Sequence, residues 1–110
     1  MVSISDKASW YAQRIEDRAD IIILEESETP RGWRFRCRLL DLDDKAVRLD
    51  WADYQFWCPA GTVPPADVVR TAIQVMLEHG ATILDDFDIA RIRHVVPSAD
   101  DRIATILAAS

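Results

Sequence analysis

The chain has 110 residues, of which 49% are hydrophobic and 29% charged, with a formal net charge of -6. This length makes one domain, residues 1–110, large enough for a core without staples. Leu, Ile, Val and Phe contribute 30 of the 110 residues, which excludes a disordered chain, and the acidic balance disfavours non-specific attachment to nucleic acid or anionic membrane.

The opening segment "SDKASWYAQRIEDRA" contains no apolar signal core. Its strong helix formers place Ala8, Tyr11, Ala12 and Ile15 on one stripe, with Ser5 as N-cap, so an N-terminal helix is expected. "DIIILEES" reads as a strand because β-branched residues dominate it, and "ETPRG" as the turn that ends it. Its aliphatic run, Ile21–Leu24, is the longest in the chain and far too short to span a membrane. The expected location is therefore the reducing cytoplasm. Eleven arginines against two lysines, with no asparagine, point to a GC-rich bacterial gene.

"WRFRCRLL" has the clearest pattern. Trp33, Phe35, Cys37 and Leu39 alternate with Arg34, Arg36 and Arg38, a period of two that defines a half-buried strand. After the turn "DLDDK", the segment "AVRLDW" alternates again, with Val47, Leu49 and Trp51 on one face and Arg48 and Asp50 on the other. Three strands joined by short turns make an antiparallel meander. Trp51, continuing the inward phase, is expected in the core.

The stretch "DWADYQFWCPAGTVPP" breaks that period. Trp51, Tyr54, Phe56 and Trp57 crowd the junction between the last strand and the next helix. One reading is a hydrophobic plug that fixes the strand-to-helix angle; the other is an exposed patch, with Tyr54 or Trp57 at its rim, that receives a partner.

"PPADVVRTAIQVMLEHG" is a helix with Pro65 at its first position, Val69, Ala72, Ile73 and Met76 as its buried stripe, and Gly80 just past its end. "DDFDIARIRHVV" reads as a short helix with Ile89, Ile92, Val95 and Val96 inward, although its alternation also fits a strand. Pro97 ends it. "SADDRIATILAAS" restarts with Ser98 as N-cap, Asp101 three residues on, and Ile103, Ile106 and Leu107 as its stripe. The expected fold is α+β: an N-terminal helix, a three-stranded antiparallel meander, and two or three C-terminal helices covering one sheet face. Double-stranded RNA-binding domains share the element order, but the helix opening "PPADVV" carries Asp67 and lacks the lysines that such domains set against phosphates, so no family is assigned.

No catalytic, cofactor or metal site is predicted. Cys58 precedes a helix N-terminus, which favours a thiolate, but His79 lies at the far end of that helix, about 20 Å away at ~1.5 Å per residue; a buried, inert thiol is the simpler account. Cys37, Cys58, His79 and His94 lack the paired spacing of zinc ligands. His79 suits the last carbonyls of its helix. Asp85, Asp86 and Asp88 lack the pattern of a calcium loop and suit a helix start.

The arginine stripe is the functional lead. Arg34, Arg36, Arg38 and Arg48 should share the outer sheet face, either paired with Glu25, Glu26 or Asp50 across the strands or offered to an anionic partner. The expectation is a non-enzymatic protein-interaction or accessory domain, working through these arginines, through Tyr54 and Trp57, or through a free sheet edge that would allow a homodimer. The alternative is a nucleic-acid-binding domain using the same four arginines.

Overall fold

The computed structural model describes residues 21–39 and 44–109; the helix expected between Ser5 and Ala19 lies outside them. The described chain runs β1 (Ile21–Thr29), β2 (Gly32–Leu39), β3 (Asp44–Asp50), α1 (Trp51–Trp57), α2 (Pro65–Glu78), β4 (Phe87–Asp88), a 3-10 turn (Ile89–Arg91), α3 (Ile92–Val95) and α4 (Ala99–Ala108). It is an α+β fold. The sheet has the order β1-β2-β3-β4.

The meander of β1, β2 and β3 is antiparallel as expected, but the sheet is not three-stranded. β4 adds to β3 in parallel, with Val47 opposite Phe87 and Arg48 opposite Asp88. The segment after Asp85 therefore uses both of its sequence signals, a two-residue strand and then a helical turn. Ile89, Ile92 and Val96 face inward, whereas Val95 is exposed.

Alternation in β2 sorts its side chains cleanly. Trp33, Phe35, Cys37 and Leu39 are buried together with Val47 and Leu49 of β3 and Phe87 of β4, and the intervening arginines are exposed. The pleat produces this sorting, because successive side chains leave opposite faces. The edge strand β1 carries a bulge between Ile23 and Glu25 and exposes Glu25, Glu26 and Glu28. Bulges and charges are devices that discourage edge-to-edge pairing.

α2 covers the inner face. Val68, Val69, Ala72, Ile73, Val75 and Met76 are all fully buried, more than a single amphipathic stripe requires, because the helix packs against β1 on one side and α4 on the other. Pro65 occupies the first helical position. At the other end Ala81 N–H donates to Met76 O at 2.9 Å and Gly80 N–H to Leu77 O at 3.1 Å, with Gly80 at φ +70°. That is a Schellman cap, and it needs the left-handed conformation that glycine adopts freely. α4 begins after Ser98 as expected, but the Ser98 side chain makes no capping bond; Asp100 and Asp101 in the first turn supply the charge that a helix start favours.

Trp51 corrects the sequence reading. It does not extend β3 into the core: it opens α1 and is 50% exposed. Its N–H donates to Arg31 O at 2.8 Å, so the chain turns tightly over the β1–β2 hairpin. Gly32 permits the crossing, since a Cβ there would lie 2.1 Å from Leu49 O. No described helix is long and apolar enough to cross a membrane.

Candidate functional site

The helices occupy the inner face of the sheet, and no described element covers the outer one. Strand register fixes what that face displays. Arg38 stands opposite Asp44, and Arg36 lies between Glu25 and Ala46. On the third rung Arg34 is flanked by Ser27 and Arg48, and Arg48 by Asp88. All four sequence-predicted arginines are thus brought together, each with roughly half its side chain in solvent.

Their ion pairs differ by rung. Arg36 Nε donates to Glu25 Oε1 at 3.1 Å and Arg36 Nη1 to Asp44 Oδ2 at 2.8 Å, while Arg38 Nε reaches Asp44 Oδ1 at 3.0 Å. The cross-strand pairing envisaged with Glu25 therefore forms, and Asp44 completes it. Among the described residues, the ion pair that Arg34 and Arg48 share is with Asp86, whose Oδ1 lies 3.6 Å from Arg34 Nη2 and 3.7 Å from Arg48 Nε. Both distances exceed a hydrogen bond. A cleft of about 280 Å³ opens beside this rung, with Arg31, Trp33, Arg34, Arg48, Asp50 and Asp88 in its walls.

The acids after Leu84 pin this corner. Asp85 Oδ1 accepts from Ala46 N–H at 3.0 Å and from Asp86 N–H at 2.9 Å. These two bonds, that from Ala46 foremost, hold the Asp85 carboxyl below the usual carboxylate range. Asp88 accepts from Ala90 N–H at 3.0 Å and caps the 3-10 turn. The capping role read from sequence thus belongs to Asp88, whereas Asp86 faces the arginines.

Tyr54 and Trp57 are buried, 7% and 1% exposed, so the exposed aromatic side chains of α1 are Trp51 and Phe56 instead. The plug reading describes Tyr54 and Trp57. Tyr54 donates its hydroxyl to Val63 O at 2.6 Å, and Trp57 its indole N–H to Asp100 Oδ1 at 2.7 Å, so both polar tips have partners, as buried Tyr and Trp require. Trp51 packs against Trp33 with ring centroids 4.5 Å apart and the planes tilted by 45°. Helical spacing was the missed signal: Tyr54, Trp57 and Cys58 stand at i, i+3 and i+4, and Asp50 and Asp53 flank a helix start.

Both cysteines are buried and unpaired with each other. Burial pushes the Cys37 thiol up to about 11, only partly countered by the Arg70 charge. For Cys58, burial acts in the same direction, but the backbone N–H groups of Val63, Thr62 and Gly61, with the Tyr54 hydroxyl, outweigh it and hold the thiol below its ordinary value. The loop, rather than the helix end, supplies the stabilisation. His79 Nδ1 donates to Val75 O at 2.9 Å, satisfying a late carbonyl of α2.

Neither family models nor curated proteins nor solved structures give a match to this chain.

Proposed function

We propose that the protein is a non-enzymatic binding domain whose outer sheet face, carrying Arg34, Arg36, Arg38 and Arg48, receives an acidic surface of a partner protein. The observation that carries this reading is a four-arginine face, covered by no described element, on a chain of net charge -6. Arginine forks bind carboxylates bidentately, and the sheet holds these four at fixed spacing. Trp51 and Phe56, both exposed, lie outside the arginine strands and add apolar area on α1.

Nucleic acid fits this face less well. Four guanidiniums are accompanied by Glu25, Asp44 and Asp86, which leaves an excess of one positive charge, whereas phosphate-backbone binding draws on several uncompensated cations. An enzyme has less support again, because the groups around the Cys58 sulfur are backbone N–H donors and a tyrosine hydroxyl rather than a base.

The test is capture from host lysate, with and without nuclease, by the wild type, by Arg34→Glu/Arg36→Glu, and by Arg102→Glu as a control on α4. A partner that survives nuclease, is lost with the double variant, is kept by Arg102→Glu and cross-links to the outer face supports the reading. Capture that depends on nucleic acid, or that ignores the double variant, overturns it.

A further inference from the structure

Two of the four outer-face arginines, Arg36 and Arg38, are placed by ordinary sheet chemistry, but the Arg34–Arg48 rung is not. Directly opposed side chains on neighbouring antiparallel strands have Cβ atoms about 5 Å apart, and like charges there are destabilising. Arg36 faces Glu25 and Arg38 faces Asp44, so the sheet elsewhere obeys the complementary rule. At this rung it does not. The next residue along, Asp88, has its carboxylate at Ala90 N–H and forms no ion pair with Arg48 among the described residues.

What answers the two guanidiniums is a loop acid from outside the strands. Asp86 sits at φ +55°, a left-handed conformation that costs a non-glycine residue free energy. Asp85 fixes the loop by its bond from Ala46 N–H on β3. The carboxylate of Asp86 is thereby held over both arginines, yet at 3.6 and 3.7 Å it makes no hydrogen bond to either, and its side chain is 62% exposed. Among the described residues no side-chain acceptor hydrogen-bonds either guanidinium, and the adjoining cleft, with Arg31 in its wall, gives a better placed one a way in.

We propose that Arg34 and Arg48 form a carboxylate-binding fork, and that Asp86 is its internal competitor, a loosely held stand-in displaced by a carboxylate side chain of the acidic partner. The inference rests on the proposed function for its partner class, and Asp86, itself a carboxylate, indicates the chemistry the fork accepts. Binding then exchanges a strained, non-bonded contact for bidentate hydrogen bonds, about twice as strong as neutral ones. Because part of the fork's population is occupied from within, the apparent affinity is lower than the intrinsic one, and removing the competitor restores it.

The experiment is a titration of the 15N-labelled chain with an acetylated, amidated hexaglutamate peptide at fixed ionic strength, following the arginine Nε–Hε signals. In the wild type the Arg34 and Arg48 signals should move together. Asp86→Asn, which keeps the left-handed preference, should tighten binding about three- to tenfold, and Arg48→Gln in that background should abolish it. Asp101→Asn, the same charge change on exposed α4, controls for net charge and should leave affinity unaltered. Unchanged or weaker binding in Asp86→Asn, equal tightening in Asp101→Asn, or shifts confined to Arg36 and Arg38 would each overturn the fork. If these occur while capture of a protein partner is still lost in Arg34→Glu/Arg36→Glu, the binding face stands and only the fork falls.

Discussion

The indole N–H of Trp57 donates to Asp100 Oδ1 at 2.7 Å, and through this bond α1 is tied to α4 across 43 residues of chain. The same carboxylate accepts from Arg93 Nε at 2.8 and 3.0 Å, and Arg93 Nη1 lies 2.9 Å from Asp53 Oδ1. Burial alone would lower the Arg93 pKa, but Asp53 and Asp100 outweigh it and hold the guanidinium more firmly protonated than usual. Its plane also lies 5.1 Å from the Trp57 ring and 5.5 Å from Phe56, within cation–π range.

Asp100→Ala should therefore leave an indole N–H without its acceptor and the Arg93 guanidinium with one carboxylate, Asp53, instead of two. Because the Arg93–Asp100 pair is about a third exposed, water recovers part of the loss, and about 2 kcal/mol of destabilisation is expected. Asp100→Asn keeps an acceptor oxygen and should lose less than half of that. Urea unfolding followed by tryptophan fluorescence measures both; an Ala variant within about 0.5 kcal/mol of wild type would mean the junction is held by packing alone.

Gly32→Ala should be among the most damaging single-methyl changes in the chain. The added Cβ would meet Leu49 O at 2.1 Å and Asp50 Cα at 2.9 Å, both backbone atoms that cannot rotate away. Separating β3 from the hairpin would also stretch the bond from Trp51 N–H to Arg31 O. A cost of about 3 kcal/mol, the upper end of what overpacking brings, is expected because the contacts are with backbone. An equilibrium unfolding midpoint close to that of wild type would show that the crossing opens freely.

These two junctions mark the boundary of what local pattern could tell. The arginine alternation of β2 was legible because a pleat enforces it residue by residue, and the α2 stripe because 3.6-residue spacing was unbroken between Pro65 and Gly80. Trp51 was misread since a period of two carried one residue past Asp50 is indistinguishable, by phase alone, from the start of a helix. β4 was legible only as an ambiguity: a two-residue strand has almost no period, and its pairing with Val47 and Arg48 is set by tertiary placement. Which carboxylate would answer Arg34 and Arg48 was hidden for the same reason, Asp86 being 52 and 38 residues distant from them in sequence.

The two thiols should titrate in opposite directions. In single-cysteine variants, iodoacetamide modification of Cys58 should have its pH midpoint below an ordinary thiol's, because the backbone N–H groups of Val63, Thr62 and Gly61 favour the thiolate. Cys37 affects stability instead. Its unfolded pKa is about 8.5 and its folded one is pushed up to about 11, so the native state keeps a proton that the unfolded chain releases. The stability difference between wild type and Cys37→Ala should be constant below about pH 8.5 and shrink by up to about 3 kcal/mol as pH rises towards 11. Parallel stability curves across that window would mean that Cys37 reaches solvent.

Removing an arginine should cost stability on two rungs and not on the third. Arg36→Gln and Arg38→Gln each delete an exposed pair with Glu25 or Asp44, and each should lose about 0.5 kcal/mol at low salt, less as salt screens the pair. Arg48→Gln deletes one member of a like-charged opposition and should be neutral or stabilising by a few tenths of a kcal/mol. On that expectation, folded-state stability favours losing the Arg34–Arg48 rung, as the proposed binding role requires. Chemical denaturation of the three variants at low and high salt decides the matter: if Arg48→Gln is as destabilising as Arg38→Gln, Asp86 is a full structural partner and the rung is stabilised from within.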